Sequence, residues 1–492
     1  MLFPSEIFLF VFLPFVLFTY YCLLFKWRSL QNVFLLVMSL LFYAYGEPSF
    51  VFVMMISIVM NWAFGLLVDR FRGSPRATKS VLVAMLLCNL GILAYFKYWM
   101  FVLGNINHFT GSYIPIPKIT LPIGISFFTF QAISYVLDIY RGKGQAQKNP
   151  LNVGLYISFF PQLIAGPIVR YETIAEQIKH RNESLDDFSE GVCRFIVGLG
   201  KKVLVANHMA IVADAAFALP PGELSVGLAW LGALAYTFQI YFDFSGYSDM
   251  AIGLGRMFGF RFLENFNYPY ISTSISEFWR RWHMSLSSFF RDYVYIPLGG
   301  NRVSTPRLGV NLFAVWALTG LWHGADWAFV LWGLLFFVFL VFEKLIKLEK
   351  RWNAPWQIPM KVFYTMLIVV VGWVLFKSGF DASVMEFSKG NTFHSLTLAG
   401  SYLQTMFGFS TNVFWDDLAH FHWHETRYVY CFAVLFSFPV VPWLVKKYEN
   451  SSSATAQNVF SVLYTLLYCG LFILSVTFIA KGGYNPFIYF NF

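Results

Sequence analysis

The chain has 492 residues, of which 58% are hydrophobic, 21% aromatic and only 12% charged. A soluble domain carries roughly 25% charged residues, so this composition cannot cover a water-facing surface and excludes a soluble enzyme. We predict an all-α polytopic membrane protein. Its net charge of +9 is assigned to loops at the membrane surface, and we expect no nucleic-acid partner.

Stretches of about 20 mainly apolar residues, which are long enough to cross a membrane as a helix, recur along the whole chain. We predict about twelve spans, at residues 5–25, 31–46, 49–68, 80–103, 119–139, 195–218, 226–249, 309–325, 327–343, 362–380, 428–445 and 459–480.

Two apolar stretches do not fit a simple span. Residues 151–170 are interrupted by two prolines and a glycine, and residues 262–300 mix aromatic side chains with Arg, Ser and Pro. Non-helical backbone at membrane depth is tolerated only inside protein or along a wet cavity. We therefore predict that both stretches are re-entrant or interfacial, and that the charged segment 171–194 between them is a surface helix.

The charges of the loops predict the orientation, because Lys and Arg accumulate on the cytoplasmic side. The connections after the first, third and fifth predicted spans are basic, as are segments 254–308 and 343–361, whereas segment 381–427 is mainly acidic. Both termini are therefore predicted to lie outside, with segment 381–427 forming an outer loop.

Ionisable side chains at membrane depth are costly and usually functional. Three polar clusters have this character, and they contain Asp243 and Asp249, then Arg280, Arg281, His283 and Arg291, and finally Trp322 and His323. The two aspartates could equally be helix caps or buried hydrogen-bond partners.

His323 is the sharpest catalytic candidate, because its apolar setting keeps an imidazole neutral, as a general base requires. The alternative is a core histidine satisfied by a backbone carbonyl. His283 adjoins two arginines and could simply pair at the cytoplasmic interface. If 309–325 and 327–343 form a full hairpin, the two histidines lie near opposite faces. They then share a site only if the helix breaks at 320–324 or if 262–300 dips inward.

Other polar residues allow more than one interpretation. Arg280, Arg281 and Arg291 could bind the phosphates of an anionic donor or could be ordinary cytoplasmic charge. The histidines of segment 420–424, next to Asp416, have a metal-like composition, but their spacing is typical of a strand or loop. We favour a solvated loop there and predict no metal site.

Together, the clusters resemble the membrane-bound O-acyltransferase family, and in particular its bacterial branch that contains the alginate O-acetyltransferase membrane subunit. The resemblance rests on residues 162–170 (QLIAGPIVR), 241–255 (YFDFSGYSDMAIGLG), 265–270 (NFNYPY), 278–287 (FWRRWHMSLS), 291–301 (RDYVYIPLGGN) and 321–324 (LWHG). These segments occur in the family's order and spacing, and the match covers nearly the whole chain.

The resemblance implies the family's fold in a single membrane domain, residues 1–492, in a bacterial plasma membrane. Within it we expect N-terminal helices over 1–150, a catalytic core over about 151–345, and C-terminal helices and a tail over 346–492. The implied donor is a cytoplasmic acyl thioester, expected to be acetyl-CoA, with no tightly bound cofactor. The implied partners are membrane lipid and an extracytoplasmic SGNH-type, esterase-like protein that acylates a cell-surface polysaccharide.

The resemblance also implies roles for single residues. His323 matches the family's nearly invariant histidine and His283 its second conserved position, where it could donate to the oxyanion. Asp243, Asp249, Trp322 and Asn301 are expected to form a supporting polar core. Tyr489 lies in a C-terminal motif of this branch whose tyrosine is thought to carry the acyl group. Its alternative is an aromatic side chain at the membrane surface.

The expected reaction is acetylation of an alginate-like exopolysaccharide or of a cell-wall polymer. D-alanyl transfer to teichoic acid and acylation of a lipid are alternatives of the same class. A transporter or flippase of an anionic lipid or sugar is the alternative of another class, since broken helices and intramembrane acids suit it too.

Overall fold

The computed structural model describes residues 1–220, 222–348, 354–382, 392–410, 413–450 and 454–488. Within these residues the regular structure is helical and no strand occurs, which confirms the predicted all-α fold. The first helices are α1 (Phe8–Leu23), α2 (Arg28–Gly46), α3 (Val51–Arg70), α4 (Pro75–Thr110), α5 (Ile125–Tyr140), α6 (Pro150–Ser158), α7 (Tyr171–Lys179) and α8 (Leu185–Ala218). They are followed by α9 (Val226–Met257), α10 (Ile275–Arg281), α11 (Met284–Phe290), α12 (Thr305–His323), α13 (Trp327–Ile346), α14 (Ile358–Ala382), α15 (His394–Met406), α16 (Asp417–Phe436), α17 (Val440–Glu449) and α18 (Ala454–Ala480).

Among the described residues, seven helices are long and apolar enough to cross a membrane, and they correspond to α2, α3, α4, α8, α13, α14 and α18. The pair α16 and α17, bent by 57°, would make an eighth. Helices α1 and α5 are apolar but shorter. Helices α9 and α12 occupy predicted spans but are not among the seven. The chain is a multi-pass membrane protein, and the number of twelve spans stays a prediction.

Helix α9 is the central element, because it is buried along almost its whole length. It packs against α8, α14, α15 and α16. Small residues let α8 and α9 approach closely, as is typical of helix pairs in membranes. A Cβ atom added at Gly198 of α8 would lie 2.5 Å from the carbonyl oxygen of Gly246 in α9. A helix surrounded by protein rather than lipid can carry ionisable side chains, and α9 carries Asp243 and Asp249.

The two stretches that were predicted to be irregular are built of short helices joined by turns. After α6, residues 159–166 turn sharply and are all buried. Side chains from other helices satisfy the backbone there: Phe160 N donates to Ser39 Oγ at 3.0 Å, and Ile168 N donates to Ser285 Oγ at 3.0 Å. The second stretch, 262–300, contains α10 and α11. The first stretch agrees with the rule that irregular backbone at membrane depth is enclosed by protein, whereas the second is partly exposed, as at Leu263 and Ile296.

Three sequence-based boundaries were wrong. Segment 171–194 is not one surface helix, because it holds α7 and the start of α8. Ser184 begins α8 by accepting a hydrogen bond from Asp187 N at 3.0 Å, and acidic residues in the first turn favour that start. The span predicted at 119–139 begins only at Ile125, after Gly124 with φ 73°. The outer loop predicted at 381–427 contains α15 and the first turns of α16.

We expect Gly198→Ala to lower the thermal stability of the detergent-solubilised protein. The added Cβ would meet the backbone of Gly246 and of Met250, the latter at 2.7 Å, and overpacking of this kind costs about 1–3 kcal/mol. Gly91→Ala is the matched control, because nothing lies within 4 Å of a Cβ atom added there. Equal melting temperatures for the two variants would contradict the close contact between α8 and α9.

Candidate active site

The end of α12 forms one wall of the site. Gly324 leaves the helical conformation with φ −166° and ψ 153°, and Asp326 begins α13 by accepting a hydrogen bond from Ala328 N at 2.7 Å. Glycines let the two helices meet closely here, since a Cβ atom added at Gly320 would lie 2.4 Å from the carbonyl oxygen of Phe329. The helix therefore ends in the protein interior, at His323.

The structure brings the two predicted histidines together around one tryptophan. His283 is 1% exposed and His323 is 3% exposed. The ring centroid of Trp322 lies 6.0 Å from that of His283 and 4.8 Å from that of His323. The imidazole of His323 also packs on Trp332 at 4.9 Å and on Phe376 at 5.0 Å. The two histidines, which the loop charges had placed near opposite faces, thus line one buried region.

The hydrogen bonds around Asn265 define the tautomer of His283. Ser285 N can only donate, and it lies 3.2 Å from Asn265 Oδ1, so that atom is the amide oxygen. His283 Nδ1 lies 3.0 Å from the same oxygen and must therefore carry its proton. The other nitrogen, Nε2, holds a lone pair, and it is buried with no hydrogen-bond partner among the described residues. This tautomer offers a proton acceptor rather than a donor for an oxyanion.

The backbone of His283 is also unusual. Its φ is 44°, in the left-handed region, which a residue with a Cβ adopts only when the surrounding structure holds it there. Strain of this kind is typical of functional sites. The ring is held from the other side by Phe244 of α9, at a centroid distance of 4.6 Å.

Asp243 forms a buried ion pair with Lys202 of α8, with 2.6 Å between Oδ1 and Nζ, and the two side chains are 1% and 2% exposed. The C-terminal segment binds to this pair. Ile488 N donates to Asp243 Oδ2 at 3.1 Å, and Lys202 donates to the carbonyl oxygen of Pro486. Tyr489, the predicted acyl carrier, follows Ile488 directly but lies outside the described residues.

The other members of the predicted polar core are placed differently. Asp249 lies in an ion-pair network, with Lys201 at 2.6 Å and Arg194 at 2.9 Å, which agrees with the alternative of a buried hydrogen-bond partner. Asn301 is exposed and accepts a hydrogen bond from Tyr295 Oη at 2.6 Å. The described contacts do not bring Asn301 to the buried histidines.

The predicted donor-binding arginines lie at the surface of α10 and just after α11. Arg281 pairs with Glu277 at 2.8 Å, and Arg291 pairs with Asp292 at 2.7 Å. Burial alone would raise the pKa of Asp292, but hydrogen bonds from Arg291 and from a second arginine hold this pKa below its usual value. Arg281 and Arg291 are therefore already paired with carboxylates. Arg280 is exposed at the end of α10, and donor binding by the three stays a prediction.

The histidine-rich segment is helical, so the predicted strand or loop was wrong. Asp416 begins α16 by accepting a hydrogen bond from Ala419 N at 2.9 Å. His420 and His424 lie one turn apart, with ring centroids 4.4 Å from each other, whereas His422 is buried on another face. In the described part of the chain, no group of three or more His, Cys, Asp or Glu residues could hold a metal ion.

Two lysines at the site were missed by the sequence analysis. Lys97 is the single charge inside the predicted span 80–103, and Lys202 lies inside the predicted span 195–218, next to Lys201. Lys97 donates to the carbonyl oxygen of Trp322 at 2.5 Å, and Lys202 pairs with Asp243. Both could have been noticed, because an ionisable residue within a span is a functional candidate by default.

Comparison of the sequence with known proteins identifies the family. The model of the MBOAT, membrane-bound O-acyltransferase family, matches residues 146–388. The probable alginate O-acetylase AlgI of Pseudomonas aeruginosa is 45% identical over 77% of this chain and 72% of its own length. The peptidoglycan O-acetyltransferase of Helicobacter pylori is 33% identical over 100% of this chain and 98% of its own. The teichoic acid D-alanyltransferase of Bacillus subtilis is 29% identical over 51% of this chain and 65% of its own.

The chain therefore belongs to the membrane-bound O-acyltransferase family. It is an acyltransferase embedded in a membrane, as the resemblance of its polar clusters implied.

We expect Asn265→Leu to lower the turnover rate of acyl transfer by roughly 10²-fold, since a small misplacement of a reacting group has effects of this size. The variant removes the acceptor that orients His283. Ser248→Ala is the matched control, because Ser248 Oγ accepts only from the other end of the amide, from Asn265 Nδ2 at 3.0 Å. Turnover is measured per folded molecule, and a wild-type rate in Asn265→Leu would exclude an orienting role.

We expect Asp243→Asn to destabilise the fold by about 3–5 kcal/mol, because it leaves the Lys202 ammonium buried opposite a neutral group. Asp69→Asn serves as the control, since Asp69 pairs with Arg72 at 3.1 Å on the surface and such pairs contribute about 0–1 kcal/mol. Denaturant unfolding in detergent compares the two variants. Similar losses of stability in both would mean that the Asp243–Lys202 pair is not a buried ion pair.

Proposed function

We propose that this acyltransferase moves an acetyl group from cytoplasmic acetyl-CoA to an oxygen nucleophile that reaches the site from the outer side, for O-acetylation of a cell-surface polysaccharide. The observation that carries the proposal is the meeting of His283 and His323 around Trp322 in one buried region. Acetyl transfer is supported by two relatives, a probable alginate O-acetylase and a peptidoglycan O-acetyltransferase.

In the proposed reaction His323 acts as the general base. Its imidazole takes the proton from an attacking hydroxyl, and the oxygen adds to the thioester carbonyl. The tetrahedral intermediate then collapses with expulsion of the CoA thiolate, which takes the proton from the imidazolium. A free phenol has a pKa of about 10, so a tyrosine nucleophile needs such a base at neutral pH. Backbone amides would stabilise the oxyanion, since the tautomer of His283 offers a lone pair instead.

The contacts of the C-terminal segment with Asp243 and Lys202 support Tyr489 as the nucleophile. Ile488 binds Asp243 through its backbone, and the next residue of α9, Phe244, packs on the ring of His283. Ile488, the last described residue, thus lies beside α9, the helix whose Phe244 packs on His283. The acetylated tyrosine would pass the group to an extracytoplasmic SGNH-type partner, which acylates the polysaccharide.

The remaining parts of the proposal concern orientation and acyl group. The bacterial branch of the family favours a plasma membrane protein, and the charge pattern of the loops favours both termini outside. D-alanyl transfer is the second candidate, because a teichoic acid D-alanyltransferase is among the relatives. Acetyl transfer is preferred because the O-acetylating relatives share more sequence and more length with this chain.

The test uses the full chain in vesicles, with acetyl-CoA labelled in the acetyl group. We expect wild type to acquire label at Tyr489, located by mass spectrometry, and His323→Ala to lose at least about 10²-fold in rate, as for loss of a general base. Tyr489→Phe should carry no label in the tail. Tyr484→Phe is the matched control, because it removes a hydroxyl from an exposed tyrosine of the same segment, which donates to Asp214 Oδ2 at 2.7 Å.

Each assignment has its own contradicting result. Unchanged transfer by His323→Ala would refute the base, and full acetylation of the partner by Tyr489→Phe would refute the carrier. If the protein acquires label from a D-alanyl thioester but not from acetyl-CoA, the transferred group is D-alanyl and not acetyl.

A further inference from the structure

Helix α12 ends inside the protein, and an α-helix leaves its last carbonyl groups without partners in the helix. In a lipid-embedded protein such groups must be satisfied by other protein groups. Three consecutive carbonyls at this end accept hydrogen bonds from two consecutive residues of α4. Tyr98 Oη donates to Leu321 O at 2.8 Å, and Lys97 Nζ donates to Trp322 O at 2.5 Å and to His323 O at 3.4 Å. We call Lys97 and Tyr98 the helix-end clamp.

The local geometry of α4 allows both clamp residues to reach the same helix end. Residues Ala94–Tyr98 form a π-helical segment within α4, and such segments are often found at functional sites. The extra residue per turn changes the directions in which the following side chains point. Lys97 is 7% exposed, and its Nζ also donates to Ser126 Oγ of α5 at 3.2 Å.

Lys97 is also electrostatically favourable at the carbonyl end of α12. The carbonyl end of a helix carries partial negative charge, and a cation there is stabilising. The same ammonium lies 5.9 Å from the ring centroid of Trp322, the side chain that separates the two histidines. Lys97 thus contacts both the backbone and the ring of the residue on which the site is built.

We propose that the helix-end clamp consists of positioning residues that hold Trp322 and His323 in the geometry needed for acyl transfer. The inference rests on the proposed role of His323 as the base. The clamp acts through backbone carbonyls: it fixes the last turn of α12, and the imidazole of His323 follows that turn. Without the clamp the turn would shift to find other donors, and a shift of about 1 Å in a reacting group can cost 10²-fold in rate.

The test compares two clamp variants with a matched control in full-length protein in vesicles, with acetyl-CoA as donor. Lys97→Met keeps the unbranched stem but removes the ammonium, and we expect kcat to fall by roughly 10–100-fold with KM for acetyl-CoA within about twofold. Tyr98→Phe removes one neutral hydrogen bond and should lower kcat several-fold, again with unchanged KM. Lys118→Met, an exposed lysine after the same helix, should behave as wild type.

Two measurements distinguish a positioning role of the clamp from a merely structural one: the amount of folded protein and the rescue of kcat by a conservative variant. Rates are expressed per molecule that elutes as folded protein, and Lys97→Arg, which restores a cationic donor, should recover most of kcat. Tyr98→Phe keeps the test decisive if Lys97→Met does not fold. A wild-type kcat per folded molecule in the clamp variants would overturn the clamp.

Failure of the clamp differs from failure of the proposed function. His323→Ala is assayed beside the clamp variants. If His323→Ala is inactive while the clamp variants turn over normally, only the clamp is wrong. If His323→Ala turns over normally, the base assignment is wrong and the clamp has no base to position.

Discussion

The site depends on one constraint: a helix that ends within a lipid-embedded protein must have its last carbonyl groups hydrogen-bonded by protein. Helix α12 meets this constraint with donors from α4, Lys97 and Tyr98. Because those donors are fixed in a packed helix, the end of α12 is fixed too. The close approach of α13 at Gly320 closes the other side. The position of His323 is therefore a consequence of how this helix end is satisfied.

Two buried lysines in π-helical segments donate hydrogen bonds to the backbone of other segments. Lys97 lies in the π-helical segment of α4, and Lys202 lies in the π-helical segment Lys201–Ala206 of α8. Each buried lysine donates to a backbone carbonyl of another segment: Lys97 to that of Trp322 at the end of α12, and Lys202 to that of Pro486 in the irregular C-terminal segment. A lysine can do this at membrane depth because it has three donors on a long stem, so one side chain can hold several acceptors of a foreign segment.

The sequence predicted several candidate site residues, but it did not predict their arrangement in space. His283 and His323 follow from the rarity of ionisable groups in apolar surroundings, but loop charges alone placed them near opposite faces. Only the folded stretch 262–300 joins them, and short helices with left-handed residues leave no periodic signal. Lys97 is readable as an ionisable residue within a predicted span, but hydropathy does not reveal the π-helical segment that directs its side chain to the end of α12. The helix start at Asp416 was readable, since an aspartate is a common N-cap.

The contacts of the C-terminal segment limit how far a carrier at Tyr489 can move. Tyr484 is bound to Asp214 and Ile488 to Asp243, so the chain is held at both ends of this short stretch. One residue beyond the last anchor extends the chain by at most about 3.6 Å. A carrier at position 489 would transfer its ester either to a partner that docks against this segment or after the anchors release. In the second case the hydrogen bonds to Asp243 and Lys202 would have to be weak enough to break in each cycle, while the ion pair between those two side chains stays intact within the core.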